Sequence, residues 1–98
     1  ITTDVNELGN VDAIYADTWI SMGDGKSLEQ IINTFKPFQI TKDLMQSANA
    51  KYFMHCQPAH RDEEVTAEVL DSEQSVILRQ AENRMWAQNA LLHTLLVK

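Results

Sequence analysis

Ninety-eight residues, 44% hydrophobic and 22% charged, make one ordinary globular domain or a piece of a larger one, and exclude a collagenous, low-complexity or disordered chain. Eight basic against fourteen acidic residues leave a net charge of −6, a balance that argues against a nucleic-acid partner. No apolar run approaches the ~20 residues of a membrane span, no basic-then-apolar start marks a secretory signal, and one cysteine excludes an internal disulfide and suits a reducing compartment.

In chain order, residues 11–19 read as a buried strand, β-branched and aromatic with acidic ends. Ser21-Met22-Gly23-Asp24-Gly25 reads as a loop with two glycines free to take positive φ. Ser27 is a helix N-cap, Gln30 completes a capping box, and Leu28, Ile31, Ile32 and Phe35 follow at helical spacing until Pro37. Phe38-Gln39-Ile40 is a short strand at most, and Thr41 caps a second helix carrying Leu44, Met45 and Ala48. Residues 51–56 form the second clear strand, stopped by Gln57-Pro58, a bond suited to the cis form in a tight strand-end turn. Residues 64–70 are expected helical, residues 75–78 a third strand, and residues 81–96 a long final helix. Met85, Leu91, Leu92, Leu95 and Leu96 give that helix its apolar face, widened by Trp86 and Ala90. Strand alternating with helix at this spacing predicts an α/β fold with a parallel sheet.

Ligands of such sheets bind beyond the carboxyl ends of the strands. Three chemically unusual segments fall there: residues 17–23, 55–61 and 80–84. His55 and Cys56 are neighbours on a strand and so point to opposite faces. From chemistry alone the pair reads first as a buried cysteine beside a hydrogen-bonded histidine. A metal site with His60 as third ligand matches no zinc spacing, and a Cys-His nucleophile pair suffers from the opposed faces. Asp17 at a strand end, before a small-residue loop, suits a cationic amine, although a solvated carboxylate is the commoner case. Ala81-Glu82-Asn83-Arg84 is expected to open a helix, so that Arg84 sits near its positive end, where an anion is welcome; an ordinary surface arginine is the plainer alternative.

Taken together the segments resemble the carbamoyltransferase family, most of all its ornithine-using branch. The matching stretches are Asp17-Thr18-Trp19 with Ser21-Met22-Gly23, then His55-Cys56-Gln57-Pro58 running into Ala59-His60-Arg61-Asp62-Glu63-Glu64-Val65-Thr66, and Gln80-Ala81-Glu82-Asn83-Arg84 with Gln88, Ala90 and Leu91. The resemblance implies a parallel Rossmann-like sheet with flanking helices, the whole of residues 1–98 being the C-terminal part of an ornithine-binding domain. It implies transfer of a carbamoyl group from carbamoyl phosphate to the δ-amine of L-ornithine, giving citrulline and phosphate. By the same resemblance Asp17, Ser21 and Met22 hold the α-amino-acid end of ornithine. Cys56 sits beside the δ-amine and the carbamoyl carbon, with Asp17 as its catalytic companion. Gln57 offers its backbone carbonyl to the carbamoyl amide, Arg84 binds carbamoyl phosphate, and His55 is a further candidate. No metal or organic cofactor is implied. The family pattern has leucine where Gln57 stands, and its N-terminal carbamoyl-phosphate domain, with Ser-x-Arg-Thr-Arg and His-Pro-x-Gln segments, has no counterpart in these residues.

The resemblance also implies a homotrimer of the longer chain, in the cytoplasm, or in an organelle matrix if a preceding segment carries a transit peptide. Ser21-Met22-Gly23 and Cys56 argue against the aspartate-using branch; branches using acetylated or succinylated ornithine, or putrescine, are nearer rivals. Two readings without catalysis stand beside these: a split or decayed subunit acting as an interaction module through its final helix, and a binding domain for a cationic amino acid.

Overall fold

The computed structural model describes residues 1–20 and 27–97. Asp4 caps a short 3-10 turn, Val5–Glu7, by accepting from the Asn6 N–H at 2.9 Å. Strand β1 follows at Ala13–Ala16 and strand β2 at Tyr52–His55, shorter than the runs expected from sequence. They pair in parallel, from Ala13 opposite Tyr52 to Ala16 opposite His55. Side chains alternate across the pleat: Ile14 and Phe53 are buried while Tyr15 and Tyr52 face outward.

The helices between the strands start where the sequence supplies oxygen caps. Helix α1, Leu28–Phe35, begins at Ser27, whose Oγ accepts from the Gln30 N–H at 3.3 Å. It gives way at its end to a 3-10 turn, Lys36–Phe38, built around Pro37. Helix α2, Lys42–Ser47, begins at Thr41, whose Oγ1 accepts from the Leu44 N–H at 3.2 Å. Ile40, expected in a short strand, makes one parallel bridge to Val65.

The C-terminal half departs from expectation in two places. Helix α3 covers only Ala67–Leu70, because Ile40 bridges Val65 and the Asp62 carboxylate accepts from the Ala67 N–H at 3.0 Å. The third strand at residues 75–78 does not form. Ser75 makes a single bridge to Phe53, and Gln80 N–H closes the first helical turn on the Val76 carbonyl at 2.8 Å. A short apolar run such as Ser75-Val76-Ile77-Leu78 cannot by itself tell a strand from a helix start. Helix α4 therefore runs over Ile77–Leu96, four residues earlier than expected.

The core lies on one side of the sheet, where Ile14, Ile40, Met45, Phe53, Val65, Val69 and Leu70 pack together. The fold is α/β and Rossmann-like, two parallel strands with flanking helices. A 20-residue helix is about 30 Å long. α4 touches the rest chiefly at β2, and Met85, Trp86, Leu91, Leu92, Leu95 and Leu96 are exposed along it. The radius of gyration, 16.1 Å, accordingly exceeds the roughly 13 Å of a rounded domain this size. Among the described residues no helix is long and apolar enough to cross a membrane.

Candidate functional site

Because β1 and β2 are parallel, their carboxyl ends open on the same edge of the sheet. An open crevice of about 750 Å³ lies there, lined by Tyr15, His55, Cys56, Gln57, Pro58, Gln80, Ala81 and Arg84. β1 delivers Asp17 to its margin, one residue past the strand. The turn after β2 supplies positions 55–58, and α4 supplies Arg84.

Asp17 and Cys56 meet: the Cys56 thiol donates to Asp17 Oδ1 at 2.9 Å, and the Thr18 N–H donates to the same oxygen at 2.8 Å. These donors hold the Asp17 carboxyl below its ordinary pKa, the thiol first, so it is an anion at neutral pH. The same hydrogen bond, with desolvation second, pushes the Cys56 thiol up. Cys56 is therefore a protonated donor and not a thiolate nucleophile. Its Sγ lies 4.0 Å from His55 Nδ1, a nitrogen already occupied as the acceptor of the Gln57 N–H at 2.8 Å. A Cys-His nucleophile pair is thus not assembled.

Gln57 is held in an uncommon backbone state. Its φ is 60°, in the left-handed region that costs an ordinary side chain roughly 1–2 kcal/mol, and it precedes a cis bond to Pro58. The Gln57 N–H to His55 contact offsets part of that cost. His55 itself is buried, accepts at Nδ1 and so carries a neutral ring's proton at Nε2, 3.0 Å from Glu64 Oε1 though off hydrogen-bond alignment. The His55 N–H donates to Gln80 Oε1 at 3.1 Å, which ties the end of β2 to the start of α4.

Arg84 does not sit where the sequence suggested. With α4 starting at Ile77, Arg84 is two turns in, beyond the reach of the helix's positive end, and Glu82 likewise lies past the first turn, bonded to Trp86 Nε1 at 3.2 Å. What remains is an exposed guanidinium lining the crevice, in no ion pair among the described residues. Ser21 and Met22 lie outside the described residues. Tyr15, Gln80 and Glu64 were not singled out as site residues from sequence. Gln80 carried a signal, standing in one of the three strand-end segments. Glu64 appeared only within the stretch that carries the family resemblance and at the start of the helix expected over residues 64–70, with no role of its own.

Residues 1–95 match the family model described as aspartate/ornithine carbamoyltransferase, Asp/Orn binding domain. The ornithine carbamoyltransferase of Shewanella oneidensis is 56% identical over 95 residues, which cover 97% of this chain and 32% of that protein. Among solved structures, ornithine carbamoyltransferase from Pyrococcus furiosus aligns with a TM-score of 0.80 at 48% identity, covering 92% of this chain and 29% of that one. Anabolic ornithine carbamoyltransferase from Campylobacter jejuni aligns with a TM-score of 0.82 at 35% identity, covering 94% and 31%. The chain spans about a third of the length of the curated relatives it matches. On the family model's match over nearly its whole length, the chain belongs to the aspartate/ornithine carbamoyltransferase family.

Proposed function

We propose that this chain supplies the ornithine side, and one phosphate contact, of a carbamoyl-transfer site that makes citrulline and phosphate from L-ornithine and carbamoyl phosphate. The observation that carries the reading is the meeting of Asp17 and Cys56 at 2.9 Å beside a crevice shared with Gln57 and Arg84. The neutral δ-amine attacks the carbamoyl carbon and a nitrogen–carbon bond forms. The tetrahedral intermediate then breaks its bond to the phosphate oxygen, which leaves with the electron pair and takes the proton shed by nitrogen. Asp17, held anionic, receives the α-ammonium with Ser21 and Met22. Cys56, held as a thiol, offers a hydrogen-bonding wall beside the reacting carbon and does not itself attack. The Gln57 carbonyl orients the carbamoyl amide. Arg84 binds the phosphate and stabilises the charge that builds on it as the bond breaks.

The chain covers about a third of its relatives, so the remaining phosphate contacts belong to the rest of a longer polypeptide, which also covers the exposed face of α4. In this reading a trimer of that polypeptide is the working form. The same α4 face favours a second reading, an interaction module without activity. The test is citrulline formation by the longer polypeptide, with putrescine and N-acetylornithine as competing amines. Ornithine should be the preferred amine, and Cys56→Ala should lower kcat and raise KM for ornithine. No citrulline from any preparation would leave the interaction module; an unchanged rate in Cys56→Ala would remove Cys56 from the site.

A further inference from the structure

We propose that His60, Glu63 and Glu64 form a binding site for a divalent transition-metal ion on the buried side of the crevice wall. One His60 ring nitrogen and a carboxylate oxygen from each glutamate lie within 4.8 Å of one another. That set, one imidazole nitrogen and two carboxylate oxygens, suits zinc, cobalt, manganese or iron in the divalent state.

The second observation is an orphaned buried group. Glu64 is almost wholly buried, and its two oxygens have different surroundings. Oε1 accepts from the His60 N–H at 2.7 Å and faces His55 Nε2 at 3.0 Å. Oε2 has no hydrogen-bond partner and points toward His60 Nδ1, 3.6 Å away. His60 Nδ1 and Glu63 Oε2 are themselves buried atoms without partners. The same three residues therefore each carry an unpaired buried atom of a ligand type, in a structure where buried polar groups are normally satisfied. Among the described residues no lysine or arginine pairs with either glutamate, and the adjacent Arg61 is turned away to Asp71 at 2.7 Å. A divalent ion there would give both glutamates a common cationic partner.

The surroundings fit a metal in other ways. The His60 side chain is 41% exposed, which gives an ion an entry path and leaves coordination positions for water. His55 Nε2 stands behind Glu64 Oε1 at 3.0 Å, an imidazole beside the ligand carboxylate. The backbone is braced by Gln39, whose side-chain amide donates to the Asp62 and Glu63 carbonyls at 2.9 and 2.7 Å. The cluster differs from the His55, Cys56 and His60 set that the sequence brought to mind, because the ligands come from the turn before α3 and do not include the thiol. It does not depend on the carbamoyl-transfer reading.

The test is calorimetric titration of the purified chain with zinc, and the visible spectrum with cobalt as a probe. The site predicts one ion per chain and no sulfur-to-cobalt charge-transfer band. Glu63→Gln and His60→Ala, both on partly exposed side chains, should each weaken binding by at least about tenfold, the lower end of what losing even a supporting group costs, while far-UV circular dichroism stays unchanged. Cys56→Ala should bind as the parent does. Binding that survives Glu63→Gln and His60→Ala, or that disappears in Cys56→Ala, would overturn the assignment, as would no binding at all.

Discussion

Phe53 is the residue through which the fold reaches the crevice. Its side chain has no exposed surface and packs with Ile14, Met45, Val65, Val69 and Leu70. Its backbone holds the segment before α4, accepting from the Val76 N–H at 3.0 Å and donating to the Gln74 carbonyl at 2.8 Å. Phe53→Ala removes the ring and leaves a cavity that the two strands cannot close. The expected loss is about 3–5 kcal/mol. A domain of this size has about 5–15 kcal/mol in all. With a urea dependence of about 1–3 kcal/mol per molar, the midpoint falls by roughly 1–5 M. Tyr52→Ala is the control. Tyr52 is the preceding residue on the same strand, points to the other face and is 51% exposed, so its truncation should cost below about 1 kcal/mol. Urea titrations followed by circular dichroism compare the two. Equal losses, or a Phe53→Ala loss below about 1 kcal/mol, would refute the placement of the core on one side of the sheet.

Four further outcomes follow from the structure. Asp17→Asn replaces the anionic acceptor that holds the Cys56 thiol protonated with a neutral, weaker one, so the thiol pKa falls and alkylation by iodoacetamide at mildly alkaline pH quickens; slower alkylation contradicts the pairing. The reciprocal effect sets a pH dependence. Asp17 titrates below its ordinary value in the folded chain, so its contribution is present above the usual carboxylate range and lost as pH falls through the lowered one, and Cys56→Ala should flatten that acid limb in urea titrations across pH. Gln39→Leu strips the donors from two carbonyls and should cost about 1–3 kcal/mol by urea titration, where a loss within about 0.5 kcal/mol would count against it. In the longer polypeptide, Arg84→Ala should weaken phosphate binding by about tenfold or more while leaving KM for ornithine nearly unchanged; unaltered phosphate affinity removes Arg84 from the site.

Much of this was legible in the sequence where the physics is local. Ser27 and Thr41 announce helix starts because their hydroxyls can reach an N–H three residues on, and both do so. Lys51-Tyr52-Phe53-Met54-His55-Cys56 announces a strand through its side chains, and the sheet is parallel as expected. Gathering Asp17, His55, Cys56 and Gln57 at strand ends needed only that topology, whereas Arg84 reaches the same crevice from within α4. The failures lie where a tertiary contact decides. Ser75 to Leu78 has strand-like composition, but one bridge to Phe53 is all the pairing it obtains before α4 begins. That shift moves Arg84 out of the first helical turn and removes the helix-end argument for anion binding. Glu64 was given no role because burial of its carboxylate depends on His55, at the end of β2, and the His60 N–H coming to it.

The central claim is that Asp17, Cys56, Gln57 and Arg84 face the two substrates together. The most direct measurement is a crystal structure of the longer polypeptide bound to a bisubstrate analogue that joins ornithine to a phosphonate. The account predicts the ammonium at Asp17, the analogue's carbonyl region beside Cys56 and the Gln57 carbonyl, and the phosphonate on Arg84. An analogue seated away from this crevice, or one that leaves Asp17 and Cys56 paired only with each other, would contradict it.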